Sequence, residues 1–279
     1  MEVNLVVVTG IDPILLYHYI KHYKQLGVDN FYIVIWGDSK DVKYDETIAV
    51  LNDYNLEVYK DYRNLRTGDA QFLTDIYNEV ISTKPDNWWI QADHDEFIIL
   101  DKPLKEFIDK DLIYNNMDFV YGIMLDRIGE GGEFSKLTYD DNDIWKKFPN
   151  VGFISNVIRE NDVRGVPILK GNNILNLGQH SVHPYIFIEE WKFKILEFPP
   201  KIQIHHFKWR REDIDMHAKY SLFGESWWSH ENEKVYNYMT ENQRIDITDP
   251  RFLIKRCSNN KFDSYSKWED VIKLVIHGK

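Results

Sequence analysis

Two aspartates that stand two residues apart, Asp93 and Asp95, have the residue types and the spacing that favour chemistry most clearly in this chain. They interrupt an apolar run that extends from Trp88 to Leu100. On a strand, residues i and i+2 point to the same side, so we expect the two carboxylates to project together. Like charges placed side by side repel, and Mg²⁺ or Mn²⁺ offsets that repulsion. The alternative is a pair of solvated or helix-capping side chains at a strand end.

The elements that position this pair alternate between strand and helix over the first hundred residues. Apolar runs predict strands, and apolar residues at helical spacing predict helices. The strands are predicted at 5–8, 31–36, 56–62 and 88–100, and the helices at about 13–26, 45–52 and 72–81. The order βαβαβαβ, with right-handed crossovers, predicts a doubly wound α/β sandwich with a mostly parallel sheet.

Polar residues occur at or near the ends of three of these strands. Thr9-Gly10 follows the first, Gly37-Asp38 follows the second, and Asp93-His94-Asp95 lies in the second half of the fourth. Ligands of doubly wound sheets bind at the carboxyl ends of the strands. The sequence therefore predicts a ligand site at this edge of the sheet.

The second half of the chain is less regular. A strand is predicted at Phe119–Leu125, with Asp126 at its end, and an exposed loop at Gly129–Asp143. In a further strand, Ile202, Ile204 and His206 share one face. Helices are predicted at 212–229 and from 266 onward.

Composition and charge exclude several classes of function. The chain has 279 residues, a net charge of −11 and one cysteine, Cys257. The acidic balance argues against a nucleic-acid-coating role, and one cysteine cannot form a disulfide within the chain. No run of about 18 apolar residues predicts a transmembrane helix. The N-terminus does not resemble a secretory signal, so we expect a cytoplasmic protein, or one in a host cytosol if the source is viral.

Several segments together resemble a known enzyme family. Asn87–Ile98 resembles the W-x-x-x-x-D-x-D-E-F segment of family-2-like and family-92-like glycosyltransferases of the GT-A fold. Tyr17–Ile33 is similar to their H-x-x-x-G-V-x-x-F-x-I helix and strand. Gly178–His180 resembles a G-x-H motif, and Ile204–Lys219 resembles the H-Y…K stretch. The resemblance is close over roughly the first hundred residues and looser between about 165 and 220.

The resemblance implies a GT-A-like α/β/α sandwich with a nucleotide-binding sheet and a decorated, partly helical C-terminal part. It also implies a divalent metal, a nucleotide-sugar donor, a glycan-type acceptor and inversion at the anomeric carbon. On this basis we expect one domain over residues 1–230, with a nucleotide-sugar half at 1–100 and an acceptor half at 101–230. Residues 231–279 are expected to form a helical extension packed on that domain.

Residues after the first strands are expected to contact the nucleotide: Thr9, Gly10, Asp12, Trp36, Asp38 and Arg66, together with Asp93. Three of these have an alternative. Asp12 could only cap the first helix, Trp36 could be a buried core residue, and Arg66 could be a solvated surface residue.

The metal is expected on Asp93, Asp95 and His206, with Asp95 in direct coordination and Asp93 in contact with the ribose or, through water, with the metal. His180 is the rival to His206 as third ligand. Asp126 is the expected general base because it ends a predicted strand.

Other candidates for the base are Glu130, Asp162 and Glu189. Glu96 is disfavoured because, on a strand, it would face away from the aspartate pair.

Two other functions stay open at this point. A sugar-phosphate nucleotidyltransferase uses a similar sheet and metal, but Thr9–Pro13 is not the Gly-rich basic loop that such enzymes need. A non-catalytic carbohydrate-binding or assembly protein could keep the fold and lack turnover. Hydrolysis of the donor would separate that possibility from an enzyme.

Overall fold

The computed structural model describes residues 1–37, 40–63, 69–160, 164–183, 202–222 and 227–261. The strands in these ranges are β1 Val3–Thr9, β2 Asn30–Gly37, β3 Val58–Arg63, β4 Trp88–Gln91, β5 Glu96–Leu100, β6 Phe119–Ile128, β7 Asn150–Gly152, β8 Arg164–Lys170, β9 Ile202–His206 and β10 Lys255–Arg256. The α-helices are α1 Pro13–Leu26, α2 Tyr44–Asp53, α3 Ala70–Ile81, α4 Leu104–Phe107, α5 Ile144–Lys147, α6 Ile154–Arg159, α7 Asp213–Tyr220 and α8 Trp227–Asn242. A short π-helix, Ile108–Ile113, follows α4.

The chain divides into two compact units. Unit 1 comprises Met1–Ile123 and Arg164–Ile204, and unit 2 comprises Met124–Val163 and His205–Lys279. The divisions therefore fall within β6 and β9 and just before β8, not at residue 230. The described part of the predicted extension contains most of α8, but it also contains β10, so it is not purely helical.

A sheet with parallel central strands forms the basis of unit 1. Strands β4, β1, β2 and β3 lie side by side in that order, and all three pairings are parallel. β8 pairs antiparallel with β4, and the first half of β6 pairs antiparallel with β8. The protein thus has a mixed α/β fold with a mostly parallel central sheet, consistent with the predicted GT-A-like α/β/α sandwich.

Helices cover both faces of this sheet. The steps from β1 to β2 and from β2 to β3 run in one direction, whereas the step from β3 to β4 runs back across β1. With right-handed crossovers, α1 and α2 therefore lie on one face and α3 on the other. The apolar side of α3 packs on Val6, Val8, Val34 and Trp89, all of which point to that face.

Local signals explain where α1 begins and ends. The Asp12 carboxylate accepts a hydrogen bond from the Leu15 backbone N–H at 2.9 Å, and Pro13 occupies the first turn. Gly27 closes the helix with φ of 99°, a left-handed conformation that glycine adopts without strain. The predicted bounds of this helix are confirmed.

Three predictions for the second half of the chain are wrong. β6 continues through Asp126 to Ile128, because these residues pair with β7. The segment Gly129–Asp143 is not simply an exposed loop, since Phe134 and Leu137 are buried. The helix predicted at 212–229 is two helices, α7 and α8. The helix predicted from Ser266 lies outside the described residues.

Unit 2 has its own apolar core. Its buried members come from β6, α6, α8, the segments between them and the segment after α8: Ile128, Phe134, Ile154, Trp209, Val235, Met239, Ile245 and Phe252. Arg127 is also fully buried, and its guanidinium donates to the backbone oxygens of Phe148, Cys257 and Asn259. These acceptors explain how β6 can continue past the charged, buried Arg127.

A search of the described helices finds none with the length and apolar character needed to span a bilayer.

Candidate functional site

The strand order of unit 1 reverses between β1 and β4. From β1 the chain moves outward to β2 and β3, and it then returns to add β4 on the other side of β1. At such a switch point the loops leave in opposite directions and open a crevice at the carboxyl ends of the strands. Thr9 ends β1, and Asp93 follows β4 by two residues. The structure therefore brings two of the predicted site segments to one edge.

The aspartate pair lies in a turn, which corrects the prediction of one strand over 88–100. β4 ends at Gln91, β5 begins at Glu96, and the Glu96 N–H donates to the Asp93 carbonyl oxygen at 2.9 Å. Strand alternation therefore does not set the direction of the two carboxylates. Both side chains are half-buried at the sheet edge. We call residues 93–95 the D-x-D turn.

Glu96 does not face away from this turn, as strand alternation predicted. Its Oε2 atom accepts a hydrogen bond from the Asp93 backbone N–H at 3.4 Å. Because the chain turns between the two residues, the Glu96 side chain folds back toward Asp93. The geometric reason for setting Glu96 aside is therefore wrong.

Three buried tyrosine hydroxyls hold the D-x-D turn and the start of β5. Tyr77 Oη of α3 donates to Asp93 Oδ1 at 2.7 Å, and Tyr19 Oη of α1 donates to the Ala92 carbonyl oxygen at 3.0 Å. Tyr23 Oη donates to the Glu96 carbonyl oxygen at 2.9 Å. Burial raises the pKa of each tyrosine well above its ordinary value, so all three remain protonated donors.

Three adjacent strands present buried polar atoms near their carboxyl ends. Thr9 Oγ1 on β1, Trp36 Nε1 on β2 and Gln91 Oε1 on β4 have no hydrogen-bond partner among the described residues. Thr9 and Gln91 are 5% and 4% exposed. An unsatisfied buried polar atom is costly, and a polar ligand would remove that cost. By strand alternation, Trp36 and Gln91 point to the α3 face of the sheet, like Val34 and Trp89, whereas Thr9 points to the opposite face.

Glycine at position 10 allows the ends of β1 and β2 to approach each other. Gly10 has φ of +145°, which side-chain-bearing residues rarely adopt. A Cβ atom there would lie 3.2 Å from Ile35 Cγ2 and 3.3 Å from the Trp36 carbonyl oxygen. The half-buried Trp36 ring packs near the Phe72 ring, with 6.1 Å between centroids.

Asp12 has the capping role that was its alternative, and its predicted contact with the nucleotide stays a prediction. Asp38 and Arg66 lie outside the described residues, as do the alternative bases Asp162 and Glu189.

The Gly178–His180 segment also belongs to unit 1 and is anchored on α3. Thr74 Oγ1 accepts from the Gly178 backbone N–H at 3.3 Å and from Gln179 Nε2 at 3.0 Å. Thr74 and Tyr77 stand three residues apart, on one side of the helix. One face of α3 therefore holds both the D-x-D turn and the segment that carries the half-buried His180.

His206 and Asp126 belong to unit 2, where they form a buried cluster with Ser155. His206 Nδ1 lies 3.1 Å from Asp126 Oδ1. Asp126 also accepts from the Ser155 backbone N–H at 2.5 Å and from Ser155 Oγ at 2.6 Å. The strand-end argument for Asp126 is wrong, because β6 continues past it. The cluster instead shows a carboxylate that fixes the ring of His206.

The two histidines of β9 point to opposite sides, as predicted. His205 Nδ1 accepts a hydrogen bond from Arg127 Nε at 2.7 Å, whereas His206 Nδ1 contacts Asp126. Both rings are buried, at 0% and 4% exposure. His205 accepts from Arg127 at Nδ1, so a neutral His205 ring carries its proton on Nε2, whereas the contact of His206 Nδ1 with a carboxyl oxygen assigns the His206 ring proton to Nδ1.

The donor set of the D-x-D turn fits Mg²⁺ or Mn²⁺. Among the described residues, no three His, Cys, Asp or Glu side chains are grouped as a metal site. Mg²⁺ needs no such group, since it keeps several waters and takes one or two carboxylates plus substrate phosphates. Asp93 and Asp95 supply two hard, half-buried oxygen donors, which is that set.

Two residues of this edge escaped the sequence prediction. In the sequence, Tyr77 occupies one of the apolar positions of an amphipathic helix. Its neighbours in sequence do not indicate that its hydroxyl reaches Asp93. Gln91 could have been found from the sequence, because it is a polar residue in an otherwise apolar strand, two positions before Asp93.

Comparisons with known proteins give structural likenesses only. No family model matches the sequence, and no curated protein matches it. One similar solved structure is 4-diphosphocytidyl-2C-methyl-D-erythritol synthase, at 12% identity and a TM-score of 0.35, covering 72% of this chain and 87% of that one. Another is residues 1–349 of S. aureus TarS, at 10% identity and a TM-score of 0.33, covering 87% of this chain and 73% of that one. Likenesses at this level carry no argument about function.

Proposed function

We propose that this protein is a metal-dependent, inverting glycosyltransferase. It would move a sugar from a nucleotide-sugar, with a UDP-sugar favoured, to a hydroxyl of a glycan or other acceptor. One observation carries the proposal: two half-buried carboxylates follow β4 at the switch point of the sheet, just after Gln91, the last residue of β4, whose buried Oε1 has no hydrogen-bond partner among the described residues. This combination suits a ligand with both a charged phosphate part and a polar organic part.

Different residues of unit 1 would bind the nucleoside and the diphosphate of the donor. Thr9 Oγ1 and Trp36 Nε1 would bind polar atoms of the nucleoside, with Gly10 allowing close approach of the backbone, and Asp12, Asp38 and Arg66 stay predicted contacts. Asp93 and Asp95 would hold the metal. When bound, the metal supplies a positive charge that neutralises the diphosphate leaving group.

The acceptor hydroxyl needs a group that takes its proton. Both oxygens of Asp126 already accept hydrogen bonds from Ser155, and one also contacts His206, which disfavours direct contact of Asp126 with an acceptor. We therefore assign Asp126 a role through His206: its carboxylate keeps the ring proton on Nδ1, which makes Nε2 the basic atom. His206 as metal ligand and His206 as proton acceptor both stay proposals.

Thermal unfolding of the full chain with UDP, GDP, dTDP and CMP, each with and without Mn²⁺, tests the proposal. A ligand at 100 times its dissociation constant stabilises by about 2.7 kcal/mol. We expect one nucleotide to stabilise the protein only with Mn²⁺, and Asp95→Ala to abolish the effect. Asp86→Ala is the matched control, because Asp86 is exposed just before β4, at the opposite end of the strand.

Two results contradict the proposal. One is the failure of every nucleotide to stabilise the protein under any condition, after which glycan binding becomes the property to measure. The other is retention of metal-dependent binding and sugar transfer by Asp95→Ala.

A further inference from the structure

The hydroxyl of Tyr77 is a polar group inside an apolar core. Tyr77 is fully buried, and its ring belongs to the cluster formed by α3 with β1, β2 and β4. A hydroxyl in such surroundings is costly unless it is hydrogen-bonded. Its partners are Asp93 Oδ1 at 2.7 Å and, more weakly, the Ala92 carbonyl oxygen at 3.5 Å. The core therefore fixes the direction of one Asp93 oxygen.

Tyr19 holds the same turn in a different way. It is also fully buried, and its hydroxyl donates to the Ala92 carbonyl oxygen at 3.0 Å. Tyr19 thus contacts the main chain before the D-x-D turn, whereas Tyr77 contacts the carboxylate itself. The two tyrosines form a matched pair, because each loses one buried hydroxyl when replaced by phenylalanine.

We propose that Tyr77 is a positioning residue for metal binding, which it promotes by orienting the Asp93 carboxylate; this inference rests on the proposed function of the D-x-D turn. Hydrogen bonds to a ligating carboxylate set its orientation, and loss of such a partner typically costs about 10- to 100-fold in metal affinity. Tyr77 is held by packing across the whole α3 face, so its donor is in place before any ligand arrives.

The test measures Mn²⁺ affinity directly, by counting free Mn²⁺ with electron paramagnetic resonance in the presence of UDP, GDP, dTDP or CMP, each in a separate series. The full chain is compared with Tyr77→Phe, Tyr19→Phe and Asp93→Asn. We expect Tyr77→Phe to raise the Mn²⁺ dissociation constant about 10-fold or more, and Tyr19→Phe to change it less than about 3-fold. Circular dichroism confirms that each variant folds.

The possible results distinguish a failure of the positioning role of Tyr77 from a failure of the proposed metal-dependent function. If the unchanged protein binds Mn²⁺ and Tyr77→Phe binds it equally well, the positioning role is wrong while the proposed function survives. Equal weakening by Tyr19→Phe and Tyr77→Phe also overturns it, since the cause is then the turn's main chain. If the unchanged protein binds no Mn²⁺ with any of the four nucleotides, the metal-dependent function and the positioning role both fail.

Discussion

Asp126→Asn is the substitution that most sharply tests the buried cluster of unit 2. The Asp126 carboxylate accepts from the Ser155 N–H on one oxygen, and from Ser155 Oγ and His206 Nδ1 on the other. Asparagine has the same shape but replaces one acceptor oxygen with an NH₂ donor. The cluster must therefore accommodate a second donor where it now has only an acceptor.

The geometry favours one of two amide orientations. An NH₂ group on the side of the Ser155 backbone N–H would place two donors face to face at the present 2.5 Å separation. On the other side, the Ser155 hydroxyl can rotate to accept, and His206 can accept at Nδ1 if its proton moves to Nε2. The second orientation avoids the clash, but it changes the tautomer of His206.

The energetic cost follows from the bonds that lose their charge. Hydrogen bonds to charged groups contribute about 1.5–3 kcal/mol each, and neutral ones about 1 kcal/mol. One bond is kept and two are remade, so all three persist as neutral bonds and each loses about 0.5–2 kcal/mol; we expect a total loss of about 1.5–6 kcal/mol in the free energy of unfolding. For a chain of this size that is a fall of about 3–24 °C in Tm.

Urea denaturation measures the stability, and nitrogen-15 NMR of the histidine rings reports the tautomer. Asp143→Asn is the control, because Asp143 caps α5 through the Trp145 N–H, and asparagine caps equally well. Unchanged or higher stability in Asp126→Asn would refute the reasoning, since that is the behaviour of a strained catalytic carboxylate. A His206 ring that keeps its Nδ1 proton would refute the assigned orientation.

Two further predictions concern α1. Asp12→Ala removes the N-terminal cap and should lower the free energy of unfolding, measured with urea, by about 1 kcal/mol, whereas Asp12→Ser should keep most of that stability. Asp69→Ala, which removes the cap of α3, is the control and should lower the free energy of unfolding by a similar amount. If Asp12→Ser keeps the stability but loses nucleotide-dependent stabilisation, Asp12 also binds the donor. Burial lowers the pKa of His22 to about 4, below its ordinary 6.5, so the unfolded chain binds this proton first. Stability should therefore fall as the pH drops from about 6.5 to 4, and His22→Gln should make that fall shallower; an unchanged pH profile would contradict this cause.

The parts of the fold that local chemistry determines could be predicted from the sequence. The capping Asp12, Pro13 and Gly27 mark α1 on both sides, and the short apolar runs of β1 and β2, followed by Gly10 and Gly37, favour buried strands. The alternation of these elements then predicts the parallel sheet and the edge where Thr9 and Asp93 lie.

Long-range contacts account for what the sequence did not reveal. The break between β4 and β5 has no glycine or proline to mark it, and the hydroxyls of Tyr19 and Tyr23 stabilise it from α1. The extension of β6 depends on acceptors that Arg127 finds at Cys257 and Asn259, far along the chain. The local sequence shows the polar residues 93–96 and the charged Arg127, but it does not show the distant partners that stabilise them, so these contacts could not be predicted from sequence patterns.

The discontinuous make-up of unit 1 has a consequence for synthesis on the ribosome. β4 pairs with β1 on one side and with β8 on the other, but the chain reaches Arg164–Lys170 only after Met124–Val163 of unit 2 has been made. Until then, the apolar strand Trp88–Gln91 presents an open hydrogen-bonding edge, which is a template for pairing with other chains. A ribosome pause within 124–163 would lengthen that exposure, so translation speed there should affect the yield of folded protein.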